Sequence, residues 1–201
     1  MTERSINSIH ASGHPPAGRQ RVAGKVALVF GAGSSGPGWG NGKAAAVVYA
    51  REGARVAAVD IDRAAAEATR DVIRAEGFDC EAYVADVTVS EQVAAVVAQV
   101  QARFGTVDIL HNNVGIEAFG DLLELTEASW DRVHEVNLRG AMLAARAVMP
   151  HMIRQGGGSI INMSSIASRK WSPMQFLSYS TSKAALNHMT RVASPASPSR
   201  R

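Results

Sequence analysis

The sequence has a single cysteine, Cys80, so an internal disulfide is excluded. Such sparse cysteine use fits a reducing compartment, and a cytoplasmic location is expected. Cys80 lies beside a predicted strand and reads as core rather than nucleophile. No apolar run approaches the roughly 18–20 residues that cross a bilayer, which argues against a membrane partner. The stretch from Met1 to Gln20 lacks the apolar h-region of a secretory signal. Its Ser, His, Pro and Gly content predicts a flexible tail over residues 1–22. Also missing is any stripe of Lys and Arg in the body of the chain. The net charge of +3 is 21 basic against 18 acidic residues, and much of the excess sits at Arg4, Arg19, Arg21, Lys25, Arg191, Arg200 and Arg201. A solvated surface explains this better than nucleic-acid binding.

The 201 residues are 46% apolar and 19% charged, the balance of one globular domain with room for a proper core. From Lys25 onward, short apolar runs alternate with helical patterns. Strands are predicted over 26–30, 55–59, 81–85, 107–110 and 159–163. Helices are predicted over 44–51, 64–76, 90–104, 129–155 and 179–192. Ser90 suits the N-cap of the third helix, and Gly77 the C-cap of the second. Gly156-Gly157-Gly158 breaks the long fourth helix. Residues 193–201 carry two prolines and no periodicity, which predicts a disordered tail.

Strands apolar on both faces, each followed by a helix, imply a buried parallel sheet. Right-handed crossovers then put helices on both faces, giving a doubly wound, Rossmann-like α/β fold over residues 23–192. Ligands in this architecture bind beyond the carboxyl ends of the strands.

Between the first strand and the first helix lies a glycine-rich loop, from Gly31 to Gly42. A pyrophosphate needs close backbone approach and free N–H donors at a helix N-terminus, and glycines permit both. A nucleotide-hydrolase phosphate loop is the competitor. It requires glycine where Pro37 stands, and serine or threonine where Ala44 follows Lys43, so it fails twice. Asp60 ends the second strand. A carboxylate there accepts hydrogen bonds from an adenosine ribose and repels a 2′-phosphate, which favours NAD over NADP. Asp86-Val87, after the third strand, is placed either to contact the adenine or simply to make a turn.

Tyr179 and Lys183 are four residues apart on a predicted helix and share one face. A free phenol titrates near pH ~10 and is a poor base at neutrality, but a neighbouring ammonium stabilises the phenolate. Tyr179 is then a candidate to exchange a proton with a substrate hydroxyl or carbonyl while a nicotinamide exchanges the hydride. Ser165, just beyond the fifth strand, is a candidate to hold the substrate oxygen.

With these features, residues 25–191 resemble the short-chain dehydrogenase/reductase family. Gly31, Gly40 and Gly42 look like its three cofactor-loop glycines, with Gly40-Asn41-Gly42-Lys43-Ala44 where the loop turns into helix. Asn112-Asn113-Val114-Gly115 resembles its Asn-Asn-Ala-Gly signature, so Asn113 and Gly115 are expected to border the cofactor. Asn137, in Val136-Asn137-Leu138, looks like the catalytic asparagine that supports a proton relay through Lys183 and water. Ser165, Tyr179 and Lys183 fall on the other tetrad positions. The resemblance implies an NAD(P)-dependent oxidoreductase acting on a small alcohol or carbonyl substrate, and a homo-oligomer for the full-length form.

The chain departs from the pattern in four places. Phe30 replaces a usual threonine, removing a brace between loop and Asn-Asn region. The loop is about five residues longer than usual, through Ser34 to Trp39. Ser165 to Tyr179 is one residue longer than common. The family's sixth and seventh strands and substrate lid have no counterpart here. The alternative expectation is therefore a catalytically impaired dinucleotide-binding fragment with an exposed apolar sheet edge.

Overall fold

The computed structural model describes residues 18–36, 38–171 and 175–193. Most of the expected N-terminal tail and nearly all of the C-terminal one lie outside the described residues. Five parallel strands form one sheet: β1 (Val26–Phe30), β2 (Arg55–Asp60), β3 (Cys80–Val84), β4 (Ile109–Asn112) and β5 (Ser159–Asn162). Their order is β3-β2-β1-β4-β5, so the chain reverses its direction of travel across the sheet between β1 and β4. The helices are α1 (Asn41–Arg51), α2 (Arg63–Ala75), α3 (Ser90–Phe104), α4 (Glu127–His134), α5 (Gly140–Arg154) and α6 (Leu177–Val192).

Side-chain alternation along β1 divides the core. Val26, Leu28 and Phe30 face one side and pack with α3 and α5 through Val97, Val100, Ala144 and Val148. Val29 faces the other and packs with α1 and α2 through Val47, Ala50 and Ile73. All five β1 residues are buried, as a central parallel strand covered on both faces demands. β5 ends the sheet on the opposite edge from β3, and Ile160 and Ile161 there are only half-buried. Among the described residues no helix is long and apolar enough to cross a membrane.

Several boundaries differ from the sequence expectation. α1 starts at Asn41, not at residue 44. Gly40 supplies an extended N-cap, and the first intrahelical bond runs from Ala44 N to Gly40 O. Asn41, Gly42 and Lys43 thus form the first turn, whose amides have no i−4 partner. β3 starts one residue early because Val56 N bonds Asp79 O and Cys80 pairs with Val56. Cys80 is thus inside the strand and fully buried, as core. β4 runs two residues later than expected because Asn112 stays in register between Phe30 and Asn162. Ser90 is not an N-cap. Val89 holds that position without a side-chain bond, and Ser90 Oγ instead accepts from Arg146 Nη2 at 3.2 Å.

The predicted long helix is continuous in path but not in type. Thr126 caps α4, its Oγ1 accepting from Ser129 N at 3.2 Å. Between α4 and α5, Glu135–Arg139 form a π-helical turn. Such turns insert one residue into the α-helical ladder and gather at functional sites. Asn137 sits within this one.

Candidate active site

Gly31 ends β1 with φ +72°, and an added Cβ would lie 2.9 Å from Val114 Cγ2. Gly42 is tighter: a Cβ there would lie 1.7 Å from Gly31 O and 2.7 Å from Asn113 Nδ2. Only glycine lets the first turn of α1 approach the strand end this closely. Asn113 Nδ2 donates to Gly31 O at 3.0 Å, linking the β4 loop to the glycine turn. Phe30 lacks the hydroxyl expected for this brace, and the Asn113 amide supplies one connection instead. The loop folds back on itself: Gly40 N donates to Ser34 Oγ at 2.8 Å.

Asp60 stands across from this turn. Its Oδ2 accepts from Gly33 N at 2.9 Å and its Oδ1 from Asp62 N at 3.1 Å. A Cβ on Gly33 would collide with Ala65 Cβ and Asp60. Gly33 is therefore a glycine of the loop that the Gly31, Gly40, Gly42 assignment missed. The signal was the Gly-Ala-Gly spacing immediately after β1.

Asp86 and Val87 follow β3. Burial raises the Asp86 carboxyl, but the Thr88 amide and hydroxyl, at 2.8 and 2.7 Å, with the Arg132 charge beyond, leave it below its usual value. Val87 is buried, close against Gly140 at the start of α5.

Tyr179 and Lys183 lie on α6 with the Lys183 Nζ 5.7 Å from the Tyr179 ring centre. Lys183 is 3% exposed, and its Nζ donates to Met163 O at 2.7 Å. Burial pulls its pKa down to about 8. Gly115 leaves room for it: a Cβ there would lie 3.1 Å from Lys183 Nζ and 3.5 Å from Asn137 Oδ1. Asn137 Oδ1 accepts from Ile116 N and Nδ2 donates to Ile116 O, both at 2.8 Å. The same Nδ2 donates to Ser182 Oγ at 3.0 Å, and that hydroxyl donates to Tyr179 O at 2.7 Å. A chain of hydrogen bonds thus fixes the β4 loop, the π-helical turn and the tyrosine-bearing turn of α6 to one another.

These elements enclose a cleft of about 650 Å³ at the carboxyl ends of the strands. Of the expected residues, Gly31, Gly40, Asn41, Asp60, Asp86, Val87, Asn113, Gly115, Tyr179 and Lys183 line it. Gly42 and Asn137 sit just behind the lining. Ser165 is outside it, with its Oγ accepting from Ala167 N at 3.1 Å at the start of a 3₁₀ turn, Ile166–Ser168. Ser164, not predicted, lines the cleft, and its Oγ donates to Lys183 O at 3.2 Å. Glu117 and Arg132 also line the cleft and had no sequence signal. Among the described residues no group of His, Cys, Asp and Glu is arranged to hold a metal ion.

A family model described as short chain dehydrogenase matches residues 25–198. The 3-oxoacyl-acyl-carrier-protein reductase of Thermotoga maritima is 39% identical over 174 residues, covering 86% of this chain and 68% of that protein. A crystal structure from Burkholderia xenovorans superposes with a TM-score of 0.84 at 46% identity, covering 86% of this chain and 66% of the other. An NAD⁺-bound xylitol dehydrogenase superposes with a TM-score of 0.80 at 37% identity, covering 86% and 65%. The chain therefore spans about two thirds of the length of the proteins it matches.

Proposed function

Because the chain belongs to the short-chain dehydrogenase family, we propose that its 23–192 unit binds NAD in preference to NADP and interconverts a small secondary alcohol and a ketone. The observation that carries this reading is the sharing of one cleft. Gly31, Gly40 and Asp60 line one end of it, and Tyr179 and Lys183 the other.

The donor set fits a dinucleotide. The first turn of α1 has no acidic residue and no side-chain cap, so its unpaired amides suit a pyrophosphate. The Asp60 carboxylate lines the cleft and suits ribose hydroxyls, while opposing a 2′-phosphate. A nicotinamide held by these residues would supply the hydride chemistry.

The chain's own residues handle the proton. Tyr179 takes it from the alcohol, or gives it to the carbonyl oxygen, at the phenol oxygen. Lys183, held beside the ring by Met163 O, supplies the positive charge that favours the phenolate. Asn137, anchored on Ile116, positions Tyr179 through Ser182. Val87 and Asp86 border the adenine end.

The same proposal includes a cytoplasmic location, supported by the free thiol of Cys80. It also includes a homo-oligomer, supported by an apolar groove lined by Leu138, Met142, Ala185, Met189 and Val192.

One observation favours a second reading, binding without turnover: Ser165 does not line the cleft, and its hydroxyl caps a turn. NADH fluorescence on mixing, followed by turnover of a generic ketone, separates the two. The oxidoreductase reading expects both signals, with turnover lost and NADH binding kept in Tyr179→Phe. Turnover that survived Tyr179→Phe would sink the acid/base assignment.

A further inference from the structure

Beyond the cleft, a line of aromatic rings leads from solvent to Tyr179. Phe119 and Phe176 are 4.7 Å apart between ring centres and tilted by 43°. Phe176 and Tyr179 are 6.1 Å apart with rings at 64°. Both spacings fall in the range of favourable aromatic pairs. The backbone fixes the first pair: Gly120 N donates to Gln175 O at 2.8 Å, bridging the segment after β4 to the start of α6. Gly120 has φ +132°, a conformation side chains rarely adopt, so the bridge depends on glycine.

The outer ring is largely uncovered. Phe119 is 68% exposed, and Ile116, which borders the cleft, is 39% exposed. Ile166, directly after Ser165, is 70% exposed, and Trp171 is 88% exposed. These residues follow β4 and β5, on the tyrosine side of the sheet top. Of these, Phe119 is tied to the reactive group through Phe176, and exposed apolar surface beside a reactive group suits a ligand. Glu117 lines the cleft between Ile116 and Phe119 and opposes an anionic ligand there.

We infer that the preferred substrate is an uncharged ketone or secondary alcohol carrying an aryl substituent, which stacks on Phe119 and Phe176 while its oxygen lies at Tyr179. This rests on the alcohol–ketone reading above and adds no chemical step to it. It assigns an aryl group carried a short distance from the reacting carbon. The aryl group completes the row of rings, and Phe119 is a specificity residue rather than a catalytic one.

The test compares 4-phenyl-2-butanone with 2-butanone on the NADH-loaded protein. Binding is read by saturation-transfer NMR and, where turnover occurs, by kcat/KM. The wild type should favour the aryl ketone. Phe119→Ala should lower aryl-ketone affinity roughly three- to ten-fold, the worth of one aromatic pair. It should leave 2-butanone and NADH unchanged, since Phe119 is mostly in solvent and borders no cofactor residue. Phe176→Leu, which keeps bulk without the ring, should lower aryl-ketone affinity in the same direction. Equal binding of the two ketones, or a Phe119→Ala loss shared by both, overturns the inference while leaving the cofactor reading intact. If the wild type binds no NADH, the cofactor reading fails first and this inference fails with it.

Discussion

Gly42→Ala isolates the contact on which the glycine turn of the cleft depends. The new methyl would lie 1.7 Å from Gly31 O and 2.8 Å from Gly31 C, both backbone atoms, and 2.7 Å from Asn113 Nδ2. Ordinary contact begins at 3.4 Å, so the first turn of α1 must move from the end of β1 by more than an ångström. Overpacking of this kind costs about 1–3 kcal/mol. The Asn113–Gly31 hydrogen bond, 3.0 Å in the native turn, is lost with it and is worth about 1 kcal/mol. Alanine returns about 1 kcal/mol through its better helix propensity. The net cost is about 2 kcal/mol, a fall in melting temperature of roughly 4–8 °C for a chain of this size. NADH affinity should fall as well, because the displaced amides are those offered to the pyrophosphate. The control is Gly157→Ala, where φ is not positive and an added Cβ meets nothing within 4 Å. That variant should melt at or slightly above the wild type. Thermal unfolding by circular dichroism and NADH titration by fluorescence read both effects. A Gly42→Ala protein that melted with the wild type and bound NADH as tightly would refute the close-approach argument.

Three further outcomes follow from the same geometry. Asp60→Ser should weaken NADH, barely affect NADPH, and so lower the NADH-to-NADPH affinity ratio about ten-fold, measured by titration with each nucleotide. Burial holds Lys183 near 8 in the folded chain against 10.5 unfolded. Between those values the unfolded chain binds a proton that the folded chain has lost, so wild-type stability relative to Lys183→Met should rise with pH. The slope is at most about 1.4 kcal/mol per unit. Urea titrations at pH 8 and 9 check this, since the opposing effect of Cys80 is common to both proteins and cancels in the difference; a flat or falling difference would count against a buried Lys183. Burial pushes the Cys80 thiol up to about 12, so iodoacetamide should label it slowly in the native protein and rapidly in urea; equal rates would contradict its place in the core.

The elements that sequence made legible are those whose environment is the same on both faces. β1 reads as five consecutive apolar residues and is buried at all five. The existence and order of strands and helices follow from that pattern and from the glycines between them. The glycine turn and Asp60, which line one end of the cleft, were legible for a similar reason. Both stand directly after strands that read clearly as apolar runs, Gly31 after β1 and Asp60 at the end of β2. What escaped was set by distant partners. β4 is placed by registry with Phe30 and Asn162, not by where its own apolar run begins. Gly33 matters because Ala65 and Asp60 approach it from another element. Ser164 and Ser165 are adjacent and chemically identical in sequence. Ser165 caps a turn and Ser164 lines the cleft, a difference that no local pattern announces. Glu117 and Arg132 carry no local pattern at all.

The π-helical turn at Glu135–Arg139 has an implication for how the chain tolerates changes of length. Each α-helical residue advances about 100° around the axis. Five residues of this wider turn cover about the arc of four α-helical ones, so removing one would restore a regular ladder with α4 and α5 nearly in phase but without the widened turn itself. Leu143, Ala144 and Val148 of α5 would keep to the sheet, while Asn137 would lose the widened turn from which it reaches Ile116 and Ser182. The glycine loop, by contrast, carries an exposed Trp39, and added length in a surface loop costs little. Insertions and deletions that are harmless near Trp39 should therefore be ruinous near Asn137, although both segments border the same cavity.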